Sequence, residues 1–250
     1  MTPAIVRSPR QTKSSPSASL HVTRECSSED PTSPVSRRYN DPSLVPGLMD
    51  EVEEYIKKVE KSMGLGFGDT EKPLLLSVRS GSRESMPGMM DTVLNVGLNA
   101  TTVDGLAKMA GNSHFAWDSY RRLIQMFASL LLGVEHEEFE HALEAAREAA
   151  GAEFDRDLTA EQLEELVGTY KQLVLDATGQ PFPDDPMVQL TYAIGAVFGS
   201  WMNERAILYR EMYKIPEEWG TAVNIQAMVF GNLGDDSFTG VAFTRDPSTG

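Results

Sequence analysis

The sequence predicts an α+β fold, and three observations point there. The middle of the chain, from about 112 to 201, reads as four consecutive helices, two of them with an apolar side at helical spacing. Short apolar or alternating runs of the strand type stand before and after them, so helices and strands are segregated along the chain. With 250 residues, 41% of them hydrophobic, there is material for a substantial core in one large domain or two small ones. No apolar run reaches the roughly 18 residues of a membrane span. A formal net charge of −15 repels nucleic acid and anionic membrane, so neither is an expected partner. The single cysteine, Cys26, excludes a disulfide within the chain and lacks metal-ligand neighbours.

Taken in order, residues 1–40 form an arm rich in Ser, Thr and Pro, with Arg7, Arg10, Lys13 and Arg24 ahead of the first acid, Glu25. The arm reads as disordered, or as transit-peptide-like. Pro46 to Met63 is a helix with Leu48, Val52, Tyr55, Val59 and Met63 on one side and Gly64 as its stop. Leu74 to Val78 is a buried strand ending at a loop that runs from Arg79 through Met86-Pro87-Gly88 to Thr92. Asn112 or Ser113 caps a helix to about Leu132, with Phe115, Leu123, Phe127 and Leu130 inward. A charged helix follows from His136 to Ala150. Thr159 and Gln162 make a capping box for the next, to about Ala177. Asp185-Pro186 opens a fourth, with Leu190, Ile194, Val197 and Trp201 as its stripe. Thr221 to Phe230 alternates as a strand, Val223, Ile225, Ala227 and Val229 pointing one way, Asn224, Gln226, Met228 and Phe230 the other. A turn-rich loop leads to a further strand at Val241 to Thr244. The chain stops in a turn at Gly250, which reads as a cut rather than an end.

The chemistry concentrates at Arg79. A strand end delivers this arginine into a run of Ser and Gly, whose small side chains let backbone N–H groups approach an anion. The guanidinium adds a planar, always-charged fork that suits phosphate oxygens. The inference is a phosphate-binding loop; the bland alternative is a surface salt bridge. The loop is neither a Walker loop nor a dinucleotide turn, since Gly-Lys-Ser/Thr and Gly-x-Gly-x-x-Gly are both missing.

The run from Leu76 to Asn95, LSVRSGSRESMPGMMDTVLN, resembles the ATP-site loop of the pyruvate, phosphate dikinase family. Phe115 to Phe127, Phe198 to Tyr209 with Lys214 to Gly220, and Thr221 to Gly231 with Thr239 to Gly250 agree in order and content. The resemblance covers about Leu44 to Gly250. It implies an incomplete ATP-grasp nucleotide-binding domain over residues 41–250, with a helical part at about 105–215. It implies ATP and phosphate as ligands, and a whole enzyme that converts ATP, phosphate and pyruvate to AMP, diphosphate and phosphoenolpyruvate. That enzyme would be a homo-oligomer whose phosphohistidine domain and pyruvate-binding domain lie outside this chain, so the chain alone is expected not to turn over. By the resemblance, Arg79 and Arg122 are the catalytic cations. Gly88, Asp91 and Thr92 would lie nearest the phosphates, and Gln226 and Met228 at the adenine. For Arg122 the alternative is a pair with Asp118 four residues earlier, and for Met228 it is ordinary core.

Departures from the family pattern are part of the expectation. No Gly-Gly-Lys-Gly segment precedes Arg79; Ser19 to Cys26 resembles the strand-to-helix segment that follows it. The carboxylate and amide that bind Mg2+ would follow Gly250, so no metal ligand is assigned to this chain. Phe238 stands where the family has a small residue and is expected to crowd its loop. His21, His114, His136 and His141 are not catalytic candidates. The location implied is cytoplasmic, or a plastid or other organelle if the arm is a transit peptide. The alternative function is a non-catalytic regulatory or interaction protein built on the same fold.

Overall fold

The computed structural model describes residues 5–7, 19–23, 47–233 and 237–240. Its sheet has five antiparallel strands in the order β1-β2-β5-β3-β4. These are β1 Ile5–Arg7, β2 Ser19–Thr23, β3 Leu76–Ser80, β4 Thr92–Val96 and β5 Ala222–Ala227. The late strand β5 is central, between β2 and β3. An early helix, α1 Leu48–Met63, precedes β3. Between β4 and β5 the chain runs through helices α2 Thr102–Ala110, α3 Ser113–Phe127, α4 His136–Ala150, α5 Ala160–Thr178, α6 Pro186–Gly199 and α7 Glu204–Tyr213. Helices and a small antiparallel sheet together make the fold α+β.

The helix boundaries follow local chemistry. Asn112 Oδ1 accepts from the Phe115 amide at 3.0 Å and starts α3. Thr159 and Gln162 exchange side chain-to-backbone bonds of 3.3 and 2.8 Å, the reciprocal cap that opens α5. Asp185 Oδ1 accepts from Met187 and Val188, with Pro186 at the first helical position of α6.

The core lies between one face of the sheet and the helices. Leu76, Val78, Val93, Val223 and Ile225 are fully buried on that face. Leu190, Ile194 and Val197 of α6 meet them, and Tyr120, Phe127 and Tyr170 fill the space between α3 and α5. Gln189, buried in α6, donates to the carbonyls of Leu98 and Pro183 and accepts from the Gly97 amide, tying the exit of β4 to the helices.

Several expectations need correction. Within the arm expected to be disordered or transit-like, the two described segments, Ile5–Arg7 and Ser19–Thr23, are the strands β1 and β2. The segment SLHVT is polar–apolar alternating and finds a partner edge on β5, which an average over forty residues conceals. Strand β3 extends to Ser80, so Arg79 lies inside the strand. It is held there because β4, which the sequence presents as loop at Thr92, pairs with it. Helices α2 and α7 are additions to the sequence reading; α7 has no clean apolar stripe, and Leu208 and Met212 on it are exposed. Leu130 is exposed because the end of α3 widens into a π turn over Ala128–Leu132, which rotates it off the apolar side. Val229 is 89% exposed because β5 stops at Ala227 and the pleat does not continue to it. The strand expected at 241–244, and Pro46, lie outside the described residues.

Candidate functional site

Directly opposed residues of neighbouring strands present their side chains on the same face of a sheet. Arg79 stands opposite Thr92 on β4 and Asn224 on β5, and Ser77 stands opposite Gln226. With residues two apart also sharing a face, one side of the sheet therefore carries Ser77 and Arg79, Thr92 and Leu94, Asn224 and Gln226. This is the side turned away from Val78, Val93 and Ile225. The fold thus gathers three of the anticipated site residues, Arg79, Thr92 and Gln226, from strands far apart in the chain.

Arg79 is exposed, and its partner is neutral. Its Nε donates to Gln226 Oε1 at 3.0 Å, and Nη2 donates to the same oxygen. No carboxylate pairs with it among the described residues. The amide orients the fork without cancelling its charge. Asn224, beside it, donates to the Ser80 carbonyl at 3.4 Å, while its Oδ1 is buried without a hydrogen-bond partner among the described residues. Gly81 explains how the loop passes so close. A Cβ at that position would stand 2.5 Å from Asn224 Nδ2, so glycine lets the amide sit where a larger residue would displace it.

The loop after β3 does not hang free. Met86 and Met90 are buried against Trp201 and Ala206 in a small apolar cluster separate from the main core. Asp91 is fastened at three points. Its amide donates to Ser200 Oγ at 3.1 Å, Oδ2 accepts from Asn203 Nδ2 at 3.1 Å, and Oδ1 pairs with Arg205 Nη2. Gly88 lies exposed between these anchors with φ of 74°, a left-handed conformation that favours glycine.

A cleft of about 560 Å³ opens at one end of the same face, between α3, α4 and the chain following β5. Leu94 and Met228 line it; each lies two residues beyond a member of the polar face, Thr92 and Gln226 respectively. The Met228 amide still donates to the Leu75 carbonyl at 2.8 Å, so the alternation carries that far. Phe230 packs edge-on against Phe115 at 5.0 Å as a further wall. Phe238, expected from the sequence to crowd its loop, is 89% exposed.

Arg122 lines the cleft too, and its Nε donates to Asp118 Oδ2 at 2.9 Å. The i,i+4 pair and the cleft position therefore hold together. Asp118 also takes the neighbouring Arg121, at 2.7 Å. Arg121 is buried, with Gln125 at 3.3 Å and Asp155 at 3.7 Å. Burial, the largest single influence, pulls the pKa of Arg121 down, but the Asp118 carboxylate and the Tyr170 phenol together outweigh it and the net shift is upward. The residues that sequence reasoning passed over are Asn224, whose alternation with Gln226 could have disclosed it, and Arg205, Asn203 and Ser200. Nothing local to those three signals contact with a loop more than a hundred positions earlier.

The family described as "Pyruvate phosphate dikinase, AMP/ATP-binding domain" matches residues 43–250. The chain is 58% identical over 208 residues to pyruvate, phosphate dikinase of Rhizobium meliloti (strain 1021), covering 83% of this chain and 23% of that protein. It is 54% identical over 204 residues to the Giardia intestinalis pyruvate, phosphate dikinase, covering 82% and 23%. It is 54% identical over 207 residues to a chloroplastic pyruvate, phosphate dikinase of Mesembryanthemum crystallinum, covering 83% and 22%. The chain spans less than a quarter of the length of these relatives. Over residues 43–250 it belongs to the AMP/ATP-binding domain family of pyruvate, phosphate dikinases.

Proposed function

We propose that the polar sheet face and its adjoining cleft bind ATP, in an ATP-grasp manner, as the nucleotide part of a pyruvate, phosphate dikinase. One observation carries this reading: Arg79 presents an exposed guanidinium that a neutral amide orients and no described carboxylate cancels. The reaction of the whole enzyme would be the conversion of ATP, phosphate and pyruvate to AMP, diphosphate and phosphoenolpyruvate.

The division of labour follows from the surroundings. Two donors of Arg79 are used by Gln226, and the remaining donors are available to phosphate oxygens. Thr92 adds a hydroxyl directly beside them. The exposed backbone at Gly88 can approach a phosphate without a Cβ in the way. The cleft suits the base: Met228 and Leu94 offer apolar contact, and the amides of Asn95 and Gln125 stand along its wall. Arg122 at the rim already shares Asp118 with Arg121, so its pull on an anion is weaker than that of Arg79. In phosphoryl transfer, catalysis is mostly positioning and charge neutralisation, and a fixed cation aimed at the phosphates serves both. Among the described residues no group of three or more His, Cys, Asp or Glu side chains could hold a metal ion. No helix among the described residues is long and apolar enough to cross a membrane.

The test is a fluorescence titration with an ATP analogue carrying a methylanthraniloyl group, on the chain and on Arg79→Ala. Saturable binding that falls by about tenfold or more in the variant is expected from the loss of charge-assisted hydrogen bonds. Equal, weak binding by both proteins would overturn the reading and favour a non-catalytic interaction protein.

A further inference from the structure

The segment between β3 and β4 joins the two residues that face each other at the centre of the polar face, Arg79 and Thr92. Its conformation is set from outside. Arg205, at the start of α7, reaches it with two arms: Nε donates to the Met89 carbonyl at 3.0 Å, and Nη2 pairs with Asp91 Oδ1. Asn203 takes the other carboxylate oxygen, and Ser200 takes the Asp91 amide while donating its own proton to the Val197 carbonyl at 2.8 Å. Both oxygens and the amide of Asp91 are therefore engaged, and its side chain is only 10% exposed. Such a carboxylate has little left to offer a ligand. Being anionic, it would also repel a phosphate.

The partners of Asp91 lie in a consecutive stretch that continues through α7 into β5, the strand that carries Asn224 and Gln226. The same bonds thus tie the β3–β4 segment to the chain that delivers the amide orienting Arg79. Met86 and Met90, buried against Trp201 and Ala206, form the apolar part of the same attachment.

We propose that Asp91, Arg205 and Asn203 form a clasp that positions the phosphate-binding segment, with Arg205 a positioning residue that never touches nucleotide. This deepens, and rests on, the reading of the sheet face as the ATP site; it also changes the role first assigned to Asp91 from phosphate neighbour to anchor.

The test is a double-mutant cycle of Asp91→Ala and Arg205→Ala on the full chain, read by hydrogen exchange of residues 81–92 and by titration with the fluorescent ATP analogue. The clasp predicts that Arg205→Ala raises exchange in 81–92 while α3 and α5 keep their protection. It predicts that each single change weakens nucleotide binding by about tenfold and that the double change does no more than either alone. Arg205→Lys, which retains the charge but not the fork, should recover part of the affinity, because one ammonium cannot reach both the Met89 carbonyl and Asp91 as the guanidinium does. Unchanged exchange in Arg205→Ala overturns the clasp. Raised exchange with undiminished affinity overturns the positioning role, as would additive losses, which would put Asp91 on the ligand itself. If the unaltered chain binds no analogue, the ATP reading fails, and so does positioning for nucleotide; the exchange data still decide the clasp as an anchor. Should either alanine variant fail to fold, Asn203→Ala, which leaves the ion pair intact, provides the same readouts with a smaller expected effect.

Discussion

Arg79 and Arg121 carry the same guanidinium into opposite surroundings. In the helical layer Arg121 is buried between α3 and its neighbours, with Asp118 and Asp155 beside it. On the sheet face Arg79 is exposed and is held by the amide of Gln226. A buried charge must be compensated, and once compensated it has no attraction left for a ligand. An exposed charge held by a neutral group costs little in folding and keeps its field. The contrast teaches that the partner of an arginine, more than its presence in a motif, decides whether it serves the fold or an anion. Arg122 stands between the two cases, facing the cleft yet sharing Asp118 with Arg121.

The comparison can be broken first at Arg121. Replacing it with leucine leaves Asp118 to Arg122 alone and removes the hydrogen bond to Gln125, and a loss of about 1.5–3 kcal/mol in urea-unfolding stability is expected from the lost charge-assisted bonds. The corresponding change at Arg79 should leave stability within about 0.5 kcal/mol, as for other exposed positions away from caps and cores. A comparable loss at both sites would show that Arg79 is structural after all.

A second change converts one environment into the other. Gln226→Glu places a carboxylate against Arg79 and makes it resemble Arg121. Stability should hold or rise slightly, while affinity for the ATP analogue falls by about tenfold, roughly 1.4 kcal/mol. Retained affinity would mean that the free charge of Arg79 is not what holds the phosphates.

The smallest effect belongs to the helical layer and concerns pH. Burial, then the nearby Asp184 carboxylate, pushes the phenol of Tyr120 well above its ordinary value. The unfolded chain releases this proton near pH ~10 and the folded chain does not, so the unfolded state binds fewer protons there. Stability must then fall as pH rises from about 10 towards the raised folded value, by at most about 1.4 kcal/mol per pH unit from this group. Urea unfolding between about pH 9 and 11 should show the decline, shallower in Tyr120→Phe. Equal slopes in the two proteins would remove Tyr120 as its source.

The legibility of the chain divides along the same line. Caps or periodicity disclosed α1, α3, α5 and α6, and charge pattern disclosed α4, because a helix answers to neighbours three and four residues away. Strand β4 was hidden because its context of Met, Pro and Gly reads as loop; only pairing with Arg79 and its neighbours on β3 makes it a strand. Helix α7 was hidden because its faces are mixed, and its role is to anchor the segment 86–91. At the site, the alternation around β5 already grouped Asn224 with Gln226 and Met228, and the loop chemistry singled out Arg79. Their meeting could not be read, since sequence spacing carries no information about which strands become neighbours.

The sequence by itself determined the α+β character, four consecutive helices, three of them capped, the placement of a cation among small residues and the family. These depend on short-range rules and on motif identity. Only the tertiary structure decided that β5 lies beside β3, that Gln226 rather than a carboxylate holds Arg79, and that Asp91 is bound by Arg205. Those contacts join residues more than a hundred positions apart, and they form only when burial of the shared core brings distant strands and helices into register.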